Sequence, residues 1–229
     1  MSFLDPANTR IDPFGLWFVF VMVILIPIAV IRSARRIRPA EASHQRITQR
    51  LRNVVFLVVM AVIALAVAWR DHISLFPPIR LTAALVALSL AILVGVLALA
   101  EALLMARSPE ERRELWVRQI IPRNNAERGV WVISSTVAGI TEEIIFRGVL
   151  FALLLALTSS IPFAALISAA IFAVAHYRQG WKSMVFIFGI ALLFQWLVIF
   201  TASLVPAMII HAIYNVVRGL RASYGLREA

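Results

Sequence analysis

Apolar residues in this chain come in long runs separated by short arginine-rich stretches. The runs have the length of a bilayer crossing, ~20 residues, rather than the short period of a soluble helix or strand. Gly15–Ile31 is the first. A polar leader with Asp5, Arg10 and Asp12 precedes it, without the basic n-region and small-residue cleavage site of a signal peptide. It is read as a retained helix with its N-terminus outside, and Pro27 is its kink position. Val54–Trp69 and Leu81–Ala100 are the second and third runs, flanking a small outer loop with Asp71 and His72. The fourth extends from near Gly129 to about Leu157, and the fifth from Pro162 to Tyr177. Ser183–Val217 holds 35 residues without a formal charge, too many for one crossing. A hairpin over Thr201–Ser203 divides it, with Ser203 as N-cap and Pro206 in the first turn that follows. The expected fold is an all-α polytopic membrane helix bundle of about seven spans, N-terminus out and C-terminus cytoplasmic. No repeat or linker divides it, so 1–229 is expected to be a single membrane domain.

Composition strengthens this reading. Hydrophobic residues make up 62% of the chain and charged residues 15%, with mean hydropathy +0.89. Soluble domains carry roughly 45–50% apolar residues, so a soluble enzyme and a disordered chain are both excluded. Cysteine is absent, which removes disulfides, thiolate zinc sites and cysteine nucleophiles together. The net charge of +10 would point to nucleic acid in a soluble protein. Here the arginines gather in Arg32–Asn53, in Glu101–Arg128, at Arg178 and after Arg218, all on one face of the seven-span topology. The positive-inside rule accounts for them with no partner, so these loops are expected in the cytoplasm and nucleic acid is not expected as a ligand. Within the second loop, Pro109–Ile121 is read as an amphipathic surface helix, with Leu115, Trp116, Ile120 and Ile121 dipping into the bilayer.

Charge inside a span costs roughly 2.5–3.5 kcal/mol on insertion scales, so residues that break the apolar runs are functional candidates. They are confined to the C-terminal half: Glu142, Glu143 and Arg147 in the fourth span, His176 in the fifth, and His211 and Asn215 in the seventh. On an α-helix Glu143 and Arg147 stand at i and i+4, the favoured order for an ion pair. Glu142 sits about 100° around the helix and is left for acid–base chemistry. Phe172 and His176 are one turn apart, as are His211 and Asn215. An imidazole and an amide on one face can clamp a metal, a water or a carbonyl oxygen. Each feature alone has a packing explanation: a histidine bonding between helices, an ion pair fixing register, Phe172 and Tyr214 filling space. Their concentration on three spans favours a shared site. That site raises one geometric difficulty. Glu142 lies about 20 Å along the helix from Gly129, whereas His176 is near a membrane surface, so the inner boundary of the fourth span is expected nearer Ser134.

These residues resemble a known family, the CPBP intramembrane proteases, named for CAAX proteases and bacteriocin-processing enzymes and also called the Abi family. Its pattern is Glu-Glu-x-x-x-Arg, Phe-x-x-x-His, then His-x-x-x-Asn or a small residue. This chain reads Glu142-Glu143-x-x-x-Arg147, Phe172-x-x-x-His176 and His211-x-x-x-Asn215. The resemblance covers about 129–217, which carries the protease-like core motifs. It implies a helical membrane endopeptidase opening toward the cytosol. Glu142 and His176 would activate the attacking water, and His211 and Asn215 would stabilise the oxyanion. Glu143, Arg147 and Phe172 would support the site. The family has been described both as zinc metalloproteases and as glutamate-dependent proteases. No His-Glu-x-x-His motif is present here, so zinc stays an open alternative, with Glu142, His176 and His211 as its ligands if bound.

The expected activity is hydrolysis of a peptide bond in a membrane-associated peptide or protein. The alternatives are a non-catalytic scaffold or bacteriocin-immunity protein on the same fold, and a transporter with Glu142 and His176 as proton relay. Missing repeats and uncharged early spans disfavour the transporter. Arginine-heavy usage and small size point to a prokaryotic inner (plasma) membrane, where prenylated CAAX substrates are not expected.

Overall fold

The computed structural model describes residues 11–34, 42–119 and 121–225, with the backbone alone at 116–119 and 225. Asp5, Arg10, Arg35, Arg36, Arg38 and Arg227 from the reading above lie outside the described residues, as do the side chains of Trp116 and Ile120. Among the described residues every regular element is helical and none is a strand. The helices are α1 (Pro13–Phe20), α2 (Ile26–Ala34), α3 (Ser43–Arg70), α4 (Ala83–Met105), α5 (Pro109–Gln119) and α6 (Asn125–Glu142). They continue with α7 (Phe151–Thr158), α8 (Ile161–Ala175), α9 (Trp181–Thr201) and α10 (Val205–Gly225). Two π-helical segments, Val21–Leu25 and Glu143–Leu150, join α1 to α2 and α6 to α7 without a break.

The helix ends follow side-chain chemistry. Asp12 caps α1 by accepting the Gly15 N–H at 2.8 Å, with Pro13 in the first turn. Thr82 caps α4 through the Leu85 N–H, and Ser108 and Glu111 form a reciprocal capping box on α5. Thr201 ends α9, Ala202 turns left-handed, and the Ser203 hydroxyl accepts the Val205 N–H, so the expected hairpin lies where it was read. Pro27 follows the first π segment. A proline ring collides with the carbonyl four residues earlier, here Val23, and the widened turn relieves that clash without ending the helix.

Among the described residues, four helices are long and apolar enough to cross a membrane: Pro13–Ala34, Ser43–Arg70, Ala83–Met105 and Trp181–Thr201. Protein buries only 11–28% of their apolar stretches, and Val55, Val62, Val94 and Phe200 are among the large side chains left exposed. Water would not tolerate that much apolar surface, and lipid is its natural solvent. Trp69 and Trp181 are exposed at span ends, where indole rings settle at the headgroup level. The second helix starts at Ser43 rather than Val54, and the fourth at Asn125 rather than Gly129 or Ser134. α8 has 15 residues and reaches about 22 Å, short of a ~30 Å hydrocarbon layer.

Two compact units can be described. The first comprises Met1–Ile37, Val59–Arg80 and Thr141–Ala207. In it α8 packs on α7, α9 and α2, around a core that includes Phe18, Phe151, Phe194 and Leu197. Its α1 entry is held by charge: Arg70 donates to Asp12 at 2.7 Å, and the Asp12 N–H donates to Asp71. Asp71, read above as a residue of the outer loop, is fully buried against Gly15, where any side chain would collide with its carboxylate. Burial pushes the Asp71 carboxyl up.

The second unit comprises Arg38–Val58, Leu81–Ile140 and Met208–Ala229. Its most buried charge is Glu127, near the start of α6. Arg46 donates to both Glu127 oxygens, at 2.7 and 3.0 Å, and Ser43, Asn124 and the Arg123 N–H complete the set. Asn124 in turn caps α6 by accepting the Glu127 N–H at 2.9 Å. Within the Arg32–Asn53 cluster, Arg46 is thus 7% exposed and ion-paired inside the fold. The expectation for Leu115 and Ile121 is corrected, since protein rather than lipid covers them. Burial pushes the Glu127 carboxyl up, but the hydrogen bonds from Arg46, Ser43 and Arg123 outweigh it and hold it at about 2. A carboxyl lowered from 4.5 adds stability above pH 4.5 that disappears as pH falls toward 2. The melting midpoint of detergent-solubilised protein should therefore fall across that window. Glu127→Gln should be less stable at pH 7 and show a smaller acid-induced fall; an equal fall would contradict the assignment.

Candidate active site

The first unit joins two of the three motifs physically. α6 ends on Glu142, and the backbone widens into the π segment Glu143–Leu150, all eight of whose residues are buried. Such segments cost hydrogen-bond geometry and gather at functional sites. The Phe146 carbonyl accepts the Phe151 N–H, five residues on, and also the Ser168 hydroxyl of α8 at 2.8 Å. Glu143 and Arg147 are ion-paired at 3.3 Å, with side chains 0% and 2% exposed. The pairing follows the sequence spacing, but on a π rather than an α backbone.

Arg147 extends this pair to the second motif. Its guanidinium lies over the Phe172 ring at 4.0 Å, with the Phe194 ring of α9 at 5.9 Å. A planar cation between aromatic faces is held by quadrupole attraction as well as by its carboxylate. Phe172 also meets Phe146 edge-on, and His176 packs on it at 4.6 Å between centroids. His176 closes α8, and its Nδ1 lies 2.8 Å from the Phe172 carbonyl oxygen. A carbonyl can only accept, so Nδ1 carries a proton and Nε2 is the ring nitrogen turned away from the helix backbone. Phe172 is thus the structural hinge of the pair: its ring seats Arg147, and its carbonyl accepts from Nδ1 of His176.

The third motif lies in the second unit. His211 and Asn215 stand one turn apart on α10, His211 buried and Asn215 half-buried. α6 and α10 approach closely there: a side chain at Gly139 would come within 2.6 Å of the Ala212 backbone nitrogen, beside His211. Trp131 of α6 donates its indole N–H to the Asn215 carbonyl at 3.0 Å. Arg50 of α3 lies over that ring at 3.6 Å and donates to Ser134. Neither Arg50 nor Trp131 stood out in the sequence, where one belonged to a basic loop and the other to an apolar run. Glu142 and His176 fall in one unit, and His211 and Asn215 in the other. Among the described residues, no group of three or more His, Asp and Glu is gathered as a metal site.

Long apolar helices, in a chain that also buries Glu143, Arg147 and His211, describe an integral membrane protein. A family model described as "Rce1-like: Type II CAAX prenyl endopeptidase Rce1-like" matches residues 124–217. That stretch holds all three motifs, and over it the chain is similar to the CAAX-type protease family that those motifs resemble. No curated protein and no solved structure matches the chain.

Proposed function

We propose that this protein is a CAAX-type intramembrane endopeptidase that hydrolyses a peptide bond in a membrane-associated peptide or protein. The observation that carries the reading is the continuous chain Glu143–Arg147–Phe172–His176, in which the first two motifs support one another through an ion pair, a ring face and a carbonyl. The family match over 124–217 supplies the reaction class.

In this mechanism Glu142, His176, His211 and Asn215 form the catalytic group. His176 offers Nε2 to the attacking water, and Glu142 accepts its proton. The water oxygen bonds to the peptide carbonyl carbon, and the carbonyl electron pair moves onto oxygen. His211 and Asn215 face that oxyanion with N–H donors, each of the kind worth 10²–10³-fold in rate. Collapse breaks the C–N bond, and Glu142 returns the proton to the leaving amine. Glu143 and Arg147 hold the helix that presents Glu142. Zinc activation of the water would need Glu142, His176 and His211 as ligands, which are not gathered as a metal site among the described residues, so no step is routed through it. Stoichiometric zinc in purified protein, lost together with activity on chelation, would assign it.

The chain is proposed as one membrane domain of about seven spans, with its catalytic core over 129–217, in a prokaryotic inner membrane. The N-terminus is placed outside, Arg32–Asn53 and Glu101–Arg128 in the cytoplasm, and no nucleic-acid partner is invoked. A cysteine introduced at position 44 should resist membrane-impermeant reagents in intact cells; labelling from outside would overturn this topology. The function is tested by comparing protein termini in cells carrying the wild type and Glu142→Ala. New N-termini in membrane proteins should depend on Glu142. Identical terminal sets, with the cellular phenotype retained, would move the assignment to a non-catalytic scaffold or immunity protein.

A further inference from the structure

The geometry points to Trp131 as a positioning residue that fixes Asn215 and its turn of α10; the catalytic consequence rests on the reading of Asn215 as an oxyanion donor. Three observations in the second unit carry it. The Trp131 indole N–H reaches the Asn215 backbone carbonyl at 3.0 Å, although that carbonyl lies inside a helix and faces its own i+4 partner, Gly219. Gly219 makes the approach possible: a Cβ at this position would overlap the indole ring. Arg50 lies over the ring face at 3.6 Å, and its hydrogen bond to Ser134 ties it to the next turn of α6.

The device controls rotation of α10 about its own axis. A helix packed only through apolar side chains can roll by tens of degrees at small cost, because one ridge slips past another. A directional hydrogen bond to one backbone carbonyl resists that roll. The bond is made at Asn215 itself, so the residue whose side chain must meet an oxyanion has its backbone clamped by an indole. His211, one turn earlier, is held separately by the close approach of Gly139 to Ala212, which sets the axial position. Misplacement of a catalytic donor by about 1 Å costs on the order of 10²-fold in rate.

The expected signature is coupling rather than mere loss. Trp131→Phe keeps most of the ring and removes the N–H. In isolated membranes it should slow formation of the Glu142-dependent termini by about tenfold or more. Gly219→Ala, which displaces the ring, should do the same. In an Asn215→Ala background, Trp131→Phe should cost less than twofold, because the group it positions has gone. An unchanged penalty in both backgrounds would reduce Trp131 to a packing residue and overturn the inference.

A second measurement does not depend on catalysis. In detergent-solubilised full-length protein with ¹⁵N-labelled asparagine, the Asn215 side-chain amide can be assigned by Asn215→Ala. Trp131→Phe and Gly219→Ala should both shift or broaden that resonance, while the melting midpoint of Trp131→Phe stays close to wild type. An unmoved resonance sinks the positioning role even if the chain proves to be a protease. Moved resonances with no Glu142-dependent cleavage would retain the clamp and reject the proposed function instead.

Discussion

Glu142→Gln should reduce cleavage by about 10²–10⁴-fold while leaving the protein folded. That is the contribution of one positioned acid–base group. The carboxamide matches the carboxylate in size and keeps an acceptor oxygen, but it cannot take a proton from water or deliver one to the leaving amine. Glu142 is half-buried at the end of α6, outside the fully buried Glu143–Arg147 pair, so its replacement leaves that pair intact. The check is the rate at which new termini form in membranes, with the melting midpoint recorded on the same preparation. Full cleavage by the variant would refute the mechanism. Asn215→Ala should cost about 10²–10³-fold, the value of a single oxyanion donor.

Arg147→Ala should have the opposite profile, with loss of folded protein preceding any question of rate. Removing one member of a buried ion pair leaves the other charge uncompensated, at a cost of about 3–5 kcal/mol. Here the deletion removes the counter-charge paired with Glu143, which is 0% exposed, and also strips the cation from the face of Phe172. Membrane domains have marginal stability to lose, so the yield of monodisperse protein should collapse. Arg147→Lys keeps the charge but not the planar stacking surface, and should fall between the two. Normal yield and a near-wild-type melting midpoint for Arg147→Ala would remove the structural role assigned to the pair.

The apolar runs located the helices because hydropathy is written continuously along each one. Ser43–Arg70 and Asn125–Glu142 began earlier than read, since their first turns are polar and carry Arg46 and Glu127. The positive-inside rule explains an arginine without asking for a partner, and Glu127 lies 81 residues away from Arg46 in sequence. Only the folded chain could show that Arg46 is also a clamp on Glu127. Asp71 was hidden for a related reason: an aspartate in a short stretch that runs on to Pro77 and Pro78 looks like a loop residue, and its burial depends on the missing side chain of Gly15. The Glu143–Arg147 pair was legible because its partners are neighbours in sequence. The roles of Ser168 and Trp131 were not, because each reaches a backbone carbonyl, and backbone acceptors leave no trace in residue identity.

The π segment between Glu142 and Phe151 has a consequence for how the long fourth helix is to be read. Each i→i+5 step accommodates one more residue than the α ladder would, so angular phase is lost across it. A helical wheel anchored at Gly139 misplaces everything beyond Leu150 by roughly one residue, about 100°. The face that carries Trp131 and Gly139 and the face that buries Phe151, Ala152 and Leu155 therefore answer to two separate wheels. Comparison of this span with a relative that lacks the widened turn would need a one-residue gap inside 143–150, placed between two stretches of unbroken helix.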